Sequence, residues 1–129
     1  MSSRIYNIAI DCADTYALAG FWAEVLGYPR QADDRPGDPE AMLLPPDGVG
    51  PMIFFQQVPE GKSVKNRLHL CLQPDDRTRD EEVERIITLG ATPVSDQRRP
   101  DGTGWAVLAD PEGNEFCVLR SAVERAASL

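Results

Sequence analysis

Two stretches of this chain pass through the same succession of signals, and that repetition limits its fold more than any single motif does. Asn7–Gly27 and His69–Gly90 each run from an alternating apolar strand through a capping residue and an amphipathic stripe to a Leu-Gly stop, differing in length by one residue. Each copy then continues into further strand signals. The expected class is therefore α+β, with two tandem βαβββ modules forming a curved mixed sheet around a central cavity. One domain over residues 1–129 is expected, with module one at about 1–59, module two at about 66–120 and a short tail at 121–129.

The elements follow from local chemistry. Ile5–Asp11 alternates as a half-buried strand does, with Tyr6, Ile8 and Ile10 on the core face. Asp14 and Thr15 are capping types, and Leu18, Phe21, Trp22, Val25 and Leu26 recur as one helical stripe that Gly27 ends. Residues 28–50 are dense in Pro, Gly and Asp, so only brief strands are expected, such as Ala41–Leu44. Met52–Val58 reads as a strand between two prolines. In the second half Leu68, Leu70 and Leu72 alternate with His69 and Cys71, and Thr78 with Glu81 makes a capping box. Val83, Ile86 and Ile87 form the stripe, which Gly90 closes. Ala91–Ser95, Trp105–Ala109 and Glu115–Leu119 follow as strands, and 121–129 as a short terminal helix.

Composition narrows the function classes. A net charge of −8 repels phosphate backbones, so nucleic acid is not an expected partner. No apolar run is long enough to cross a bilayer, and the first residues lack the pattern of a secretory signal. Cys12, Cys71 and Cys117 are odd in number and show no metal-type spacing, which suggests reduced thiols and a cytoplasmic location.

Within the repeat, Asn7 and His69 fall at equivalent places. Gln56 lies 29 residues after Gly27 and Cys117 lies 27 after Gly90, which makes them a second, approximate pair. Sheet faces opposite the helices are expected to bring Asn7, Gln56, His69 and Cys117 toward one cavity, with Phe54 and Trp105 as aromatic wall candidates. Phe21 and Trp22, on the helix stripe, are expected in the core.

The Asn7-to-Asp14 strand, Phe21-Trp22 with Leu26-Gly27, the Lys65-to-Leu70 segment and the Asp110-Pro111-Glu112-Gly113-Asn114 turn with Glu115-Phe116 resemble a glyoxalase-like domain. This is the glyoxalase/bleomycin resistance/dioxygenase group of the vicinal oxygen chelate superfamily, and the resemblance covers nearly the whole chain. It implies the glyoxalase/bleomycin resistance fold and a homodimer. It also implies that the positions which hold a divalent ion in metal-using members fall at Asn7, Gln56, His69 and Cys117. Only His69 is a standard ligand there, and Cys117 stands where the family places a carboxylate four residues after the turn glycine. Glu115 is displaced from that place by two residues, or roughly 6.6 Å of strand.

The expectation drawn from this set is a protein that binds a small organic molecule in a cavity without a catalytic metal, with no cofactor and with metal ligands at none of these positions. Asn7, Phe54, Gln56, His69, Trp105 and Cys117 are the candidate ligand-binding residues. Weak zinc binding is the departure that the Asn/Gln/His/Cys set leaves open. The alternative is an enzyme, either a metal-dependent lyase, isomerase or dioxygenase of glyoxalase type, or a metal-free catalyst using His69 and Glu115 as an acid–base pair. In that reading burial raises the pKa of Glu115. Lys62, Lys65 and Arg67 form a basic cluster suited to an anionic ligand or simply to a solvated loop.

Overall fold

Along strand β1 (Asn7–Cys12), Ile8, Ile10 and Cys12 turn inward while Ala9 and Asp11 stay exposed, so the period of two sets which face meets a helix. That helix is α1 (Thr15–Leu26), whose N-terminus is capped by the Asp14 carboxylate accepting from the Ala17 amide at 3.1 Å. Its stripe of Leu18, Phe21, Trp22 and Val25 is buried, with Phe21 and Trp22 edge to face at 5.3 Å, as expected of core residues. Gly27 ends the helix at φ +71°, its amide donating to the Ala23 carbonyl. The computed structural model describes residues 1–127; Ser128 and Leu129, which the expected terminal helix included, lie outside them.

The chain divides into two compact units at Gly61 and Lys62. In the first, β2 (Glu40–Leu43) and β3 (Met52–Gln57) complete a three-stranded sheet of order β1-β3-β2. β1 and β3 run parallel, and β2 and β3 antiparallel. Ala41, Leu43, Ile53 and Phe55 are buried, and α1 lies against β2 and β3. The strand that would complete a βαβββ order here is reduced to a bridge between Arg30 and Leu43. Pro29 and the Asp- and Pro-rich run after it leave little backbone able to pair. Arg30 is fixed by donating to the Tyr16 carbonyl and by lying over the Tyr16 ring at 3.8 Å. The absent side chain of Gly20 makes room for it, since a Cβ there would stand 2.2 Å from the guanidinium.

The second unit holds the complete order: β4 (Cys71–Leu72), α2 (Arg79–Leu89), β5 (Thr92–Asp96), β6 (Ala106–Ala109) and β7 (Glu115–Val118), followed by α3 (Ala122–Ala127). Its sheet runs β4-β7-β6-β5, with β4 and β7 parallel and the other pairs antiparallel. The capping box forms as read: Thr78 accepts from the Glu81 amide, and Glu81 accepts from the Thr78 amide. α2 packs on β7, with Val83, Ile86, Leu108, Phe116 and Val118 buried.

One element departs from the reading. β4 has two residues rather than the expected five, and Leu68 is 91% exposed instead of facing the core. Asn66 explains why. Its amide donates to the Glu115 carboxylate at 3.0 Å and its side chain to the Glu115 carbonyl at 3.4 Å, so side-chain bonds replace ladder bonds just ahead of Leu68.

Candidate functional site

Because side chains alternate across a sheet, the face of β4–β7 turned away from α2 gathers every second residue of four strands. Cys71, Glu115, Cys117, Val107 and Ser95 line this face, extended by His69, Leu119, Trp105 and Gln97 from the strand ends, by Val94 at the register shift within β5 and by Lys65 from the connector before β4. They line an open cavity of about 580 Å³, a size that accommodates a small organic molecule. Val94, Trp105, Val107 and Leu119 make an apolar wall; His69, Cys71 and Cys117 form a polar strip along the paired β4 and β7 side. His69, Trp105, Cys117 and Glu115 therefore come together as cavity residues of the second unit.

Glu115 does not have the character expected of an acid–base catalyst. The Asn66 amide, first of all, holds its carboxyl below the usual range, against the opposing effect of burial, and Lys62 adds an ion pair at 3.1 Å. The pKa is lowered, not raised, because a carboxylate accepting a backbone N–H and facing an ammonium is stabilised in its charged form. Lys62 also donates to the Val64 carbonyl, so it clamps the connector before β4 instead of reaching into the cavity. Lys65 remains at the cavity edge, its ammonium making a long 3.5 Å contact to the Asn66 carbonyl.

The two thiols differ. Cys117 is buried, and desolvation, followed by the proximity of Cys71, pushes its thiol up despite the nearby Lys65 charge. Cys71 is exposed and stands opposite Cys117 in the parallel ladder. The side-chain donor atoms of His69, Cys71 and Cys117 all lie within 4.8 Å of one another. Glu115 is outside this group.

The Trp105 end of the cavity depends on a residue that the sequence reading passed over. Arg79 is buried at the start of α2, and its guanidinium donates to the carbonyls of Gly102, Thr103 and Gly104 at 3.1–3.2 Å. A cation in the first turn of a helix opposes the helix dipole, which was the available signal that Arg79 has another task. Gly104 itself sits at φ +91°, where a Cβ would stand 2.1 Å from the Gln97 carbonyl oxygen. Gln97 donates its amide to Trp105, closing the hairpin that presents the indole, and Arg99 approaches the ring face at 6.0 Å.

In the first unit, Asn7, Phe54 and Gln56 occupy the sheet face away from α1, but not at one level. Asn7 pairs with Met52, while Gln56 pairs with Asp11, four residues further along or about 13 Å of strand. The ladder also corrects the pairing between the halves. With Asn7 matched to His69, Ala9 matches Cys71; Ala9 faces Phe54 and Cys71 faces Cys117. Phe54, not Gln56, is thus the counterpart of Cys117. Sequence reasoning also missed Cys71, Val107 and Leu119, each two residues along a strand from His69, Trp105 or Cys117, a spacing that would have revealed them.

A family model described as a glyoxalase-like domain matches residues 7–119. No curated protein matches the chain. Among solved structures, a glyoxalase/bleomycin resistance protein/dioxygenase family enzyme from Burkholderia phytofirmans PsJN is 22% identical at TM-score 0.68, over 90% of this chain and 97% of that one. A glutamate-to-glutamine mutant of the fosfomycin resistance protein FosX from Listeria monocytogenes, complexed with Mn(II) and 1S,2S-dihydroxypropylphosphonic acid, is 19% identical at TM-score 0.71, over 97% and 95%. A glyoxalase-related enzyme from Fulvimarina pelagi is 17% identical at TM-score 0.65, over 91% and 87%. At these identities the likeness shows the fold, which is the glyoxalase/bleomycin resistance fold expected from the sequence.

Proposed function

The chain belongs to the glyoxalase-like domain family, and from that premise we propose that it binds a small, planar organic anion in the cavity of its second unit, without a catalytic hard divalent cation. The observation that carries this reading is the contrast between the cavity's apolar wall, with Trp105, Val107 and Leu119, and its polar strip, which offers an imidazole and thiols. Lys65 at the edge supplies a charge for the anion. In the first unit, Asn7, Phe54 and Gln56 share the sheet face turned away from α1.

A hard cation such as the Mn(II) of the FosX complex prefers oxygen and imidazole donors that include carboxylate. The donor set here does not fit it. In the second unit His69 supplies one imidazole, Cys71 and Cys117 are thiols, and the Glu115 carboxylate is committed to Asn66 and Lys62. No reaction step is therefore assigned to such an ion, and Glu115 with its lowered pKa is a poor proton donor near neutrality. Both facts favour sequestration over turnover.

Exposed Val64 and Leu68 in the second unit, and Ile5 and Tyr6 in the first, support a homodimer that covers them. Three free thiols suit a reducing cytoplasm. Among the described residues no helix is long and apolar enough to cross a membrane.

The test is titration with aromatic carboxylates such as salicylate and naphthoate, following tryptophan emission. Trp22 is buried in the first unit, so the response belongs to Trp105 and disappears in Trp105→Phe. Val107→Trp, which fills the cavity, is expected to abolish saturable binding measured by calorimetry. Equal binding by wild type and Val107→Trp contradicts the assignment.

A further inference from the structure

The donors that exclude a hard divalent ion are the ones a soft ion prefers. His69 offers an imidazole, Cys71 and Cys117 two thiols, and their donor atoms gather within 4.8 Å on one strand pair. Around a tetrahedral zinc, with bonds of about 2.0–2.3 Å, ligand atoms stand roughly 3.3–3.8 Å apart, so side-chain rotations of about 1 Å suffice to close the set. We propose that His69, Cys71 and Cys117 form a site for one thiophilic cation of the Zn(II) or Cd(II) class, leaving a fourth coordination position open toward the cavity.

Three features carry this. Cys71 and Cys117 are ladder partners, so the backbone fixes the spacing of the two sulfurs' strands before any ion arrives. Cys71 and His69 are exposed, which gives an entry path, while Cys117 is buried and anchors the inner side. Coordination converts both thiols to thiolates and releases two protons to solvent, so two negative charges then face the dication.

The distinction from a manganese-type site is one of ligand softness: two thiolates and one imidazole select zinc, cadmium or cuprous ions over Mn(II). Ion binding is read from sulfur absorption and organic binding from Trp105 emission, so either can fail without the other.

The experiment uses the full chain, reduced and freed of metal by chelator, titrated with Cd(II) while the ultraviolet thiolate-to-cadmium charge-transfer band is recorded. One ion per chain is expected, Zn(II) displacing it and Mn(II) staying free by its paramagnetic resonance signal. Cys71→Ser and His69→Gln, both at exposed positions, are expected to weaken Cd(II) binding at least about tenfold, with Cys71→Ser losing about half the band. Cys12→Ser, in the first unit, is expected to titrate as wild type. Absence of the band in the wild type, unchanged binding in Cys71→Ser, loss in Cys12→Ser, or competition by equimolar Mn(II) each overturns the proposal.

Discussion

Cys71 and Cys117 face one another across the parallel pair β4 and β7, one thiol exposed and the other buried in the cavity lining. Burial raises the Cys117 thiol pKa, and alkylation requires thiolate and access together. Of the three cysteines, Cys71 should therefore react with iodoacetamide first in the native protein, with Cys12 and Cys117 following only on unfolding. Peptide mapping by mass spectrometry checks the order, and early labelling of Cys117 would contradict it.

Glu115 should make stability depend on pH in the acid range. Its folded pKa is depressed, so its contribution is present above the unfolded value of about 4.3 and is lost as pH falls through the lower folded value. Glu115→Gln should melt at a lower temperature than wild type at pH 7, with the gap narrowing as the pH falls below about 4.3. A gap that is constant across that interval would show that the charge is not what matters. The same substitution frees Lys62 and Asn66, so protection of the connector amides against hydrogen exchange should fall with it.

Gly104 should resist substitution. Its φ of +91° disfavours any side chain, and a Cβ would meet the Gln97 carbonyl, which is backbone and cannot swing aside. Gly104→Ala is expected to cost about 2 kcal/mol or more in urea unfolding and to red-shift Trp105 emission as the hairpin loosens. Gly61→Ala, where no atom lies near, is the control and should be close to neutral.

The Asp110–Asn114 turn should prove to be a staple of the fold rather than part of the binding site. Buried Asp110 accepts from the amides of Glu112 and Asn114 and from the Asn114 side chain at 2.9–3.2 Å, with Gly113 at φ +90° closing the turn. Asp110→Ala is expected to lose about 1–3 kcal/mol of stability, since the half-buried donors of Glu112 and Asn114 lose their shared acceptor. Cadmium and carboxylate binding by the folded fraction should be unchanged.

Much of the fold was legible because it rests on local chemistry. The Thr78–Glu81 capping box, the Gly27 stop and the Phe21-Trp22 stripe each report a backbone bond or a buried face that sequence spacing fixes directly. The candidate site was legible only in part. Counting residues from Gly27 and Gly90 paired Gln56 with Cys117, but loops of unequal make-up lie between, and a slip of two keeps the face while moving about 6.6 Å along the strand. That error hid Phe54 as the counterpart. Glu115 was misjudged for a similar reason: its pKa is set by Asn66 and Lys62, 49 and 53 positions away, and no local pattern announces their return. Leu68 looked like core from its alternation, yet the Asn66 bonds to Glu115 end the ladder before reaching it.

The central claim is that the sheet face carrying His69, Trp105, Val107 and Cys117 is where a ligand enters. The most direct measurement is a nitrogen-15 correlation spectrum of the full chain during titration with naphthoate. The account predicts saturable shifts concentrated in the amides of Val94, Gln97, Val107 and Leu119 and in the Trp105 indole, all fitting one dissociation constant. Shifts that gather on α2 or on the opposite face at Phe116 and Val118, with the Trp105 indole unmoved, would contradict it.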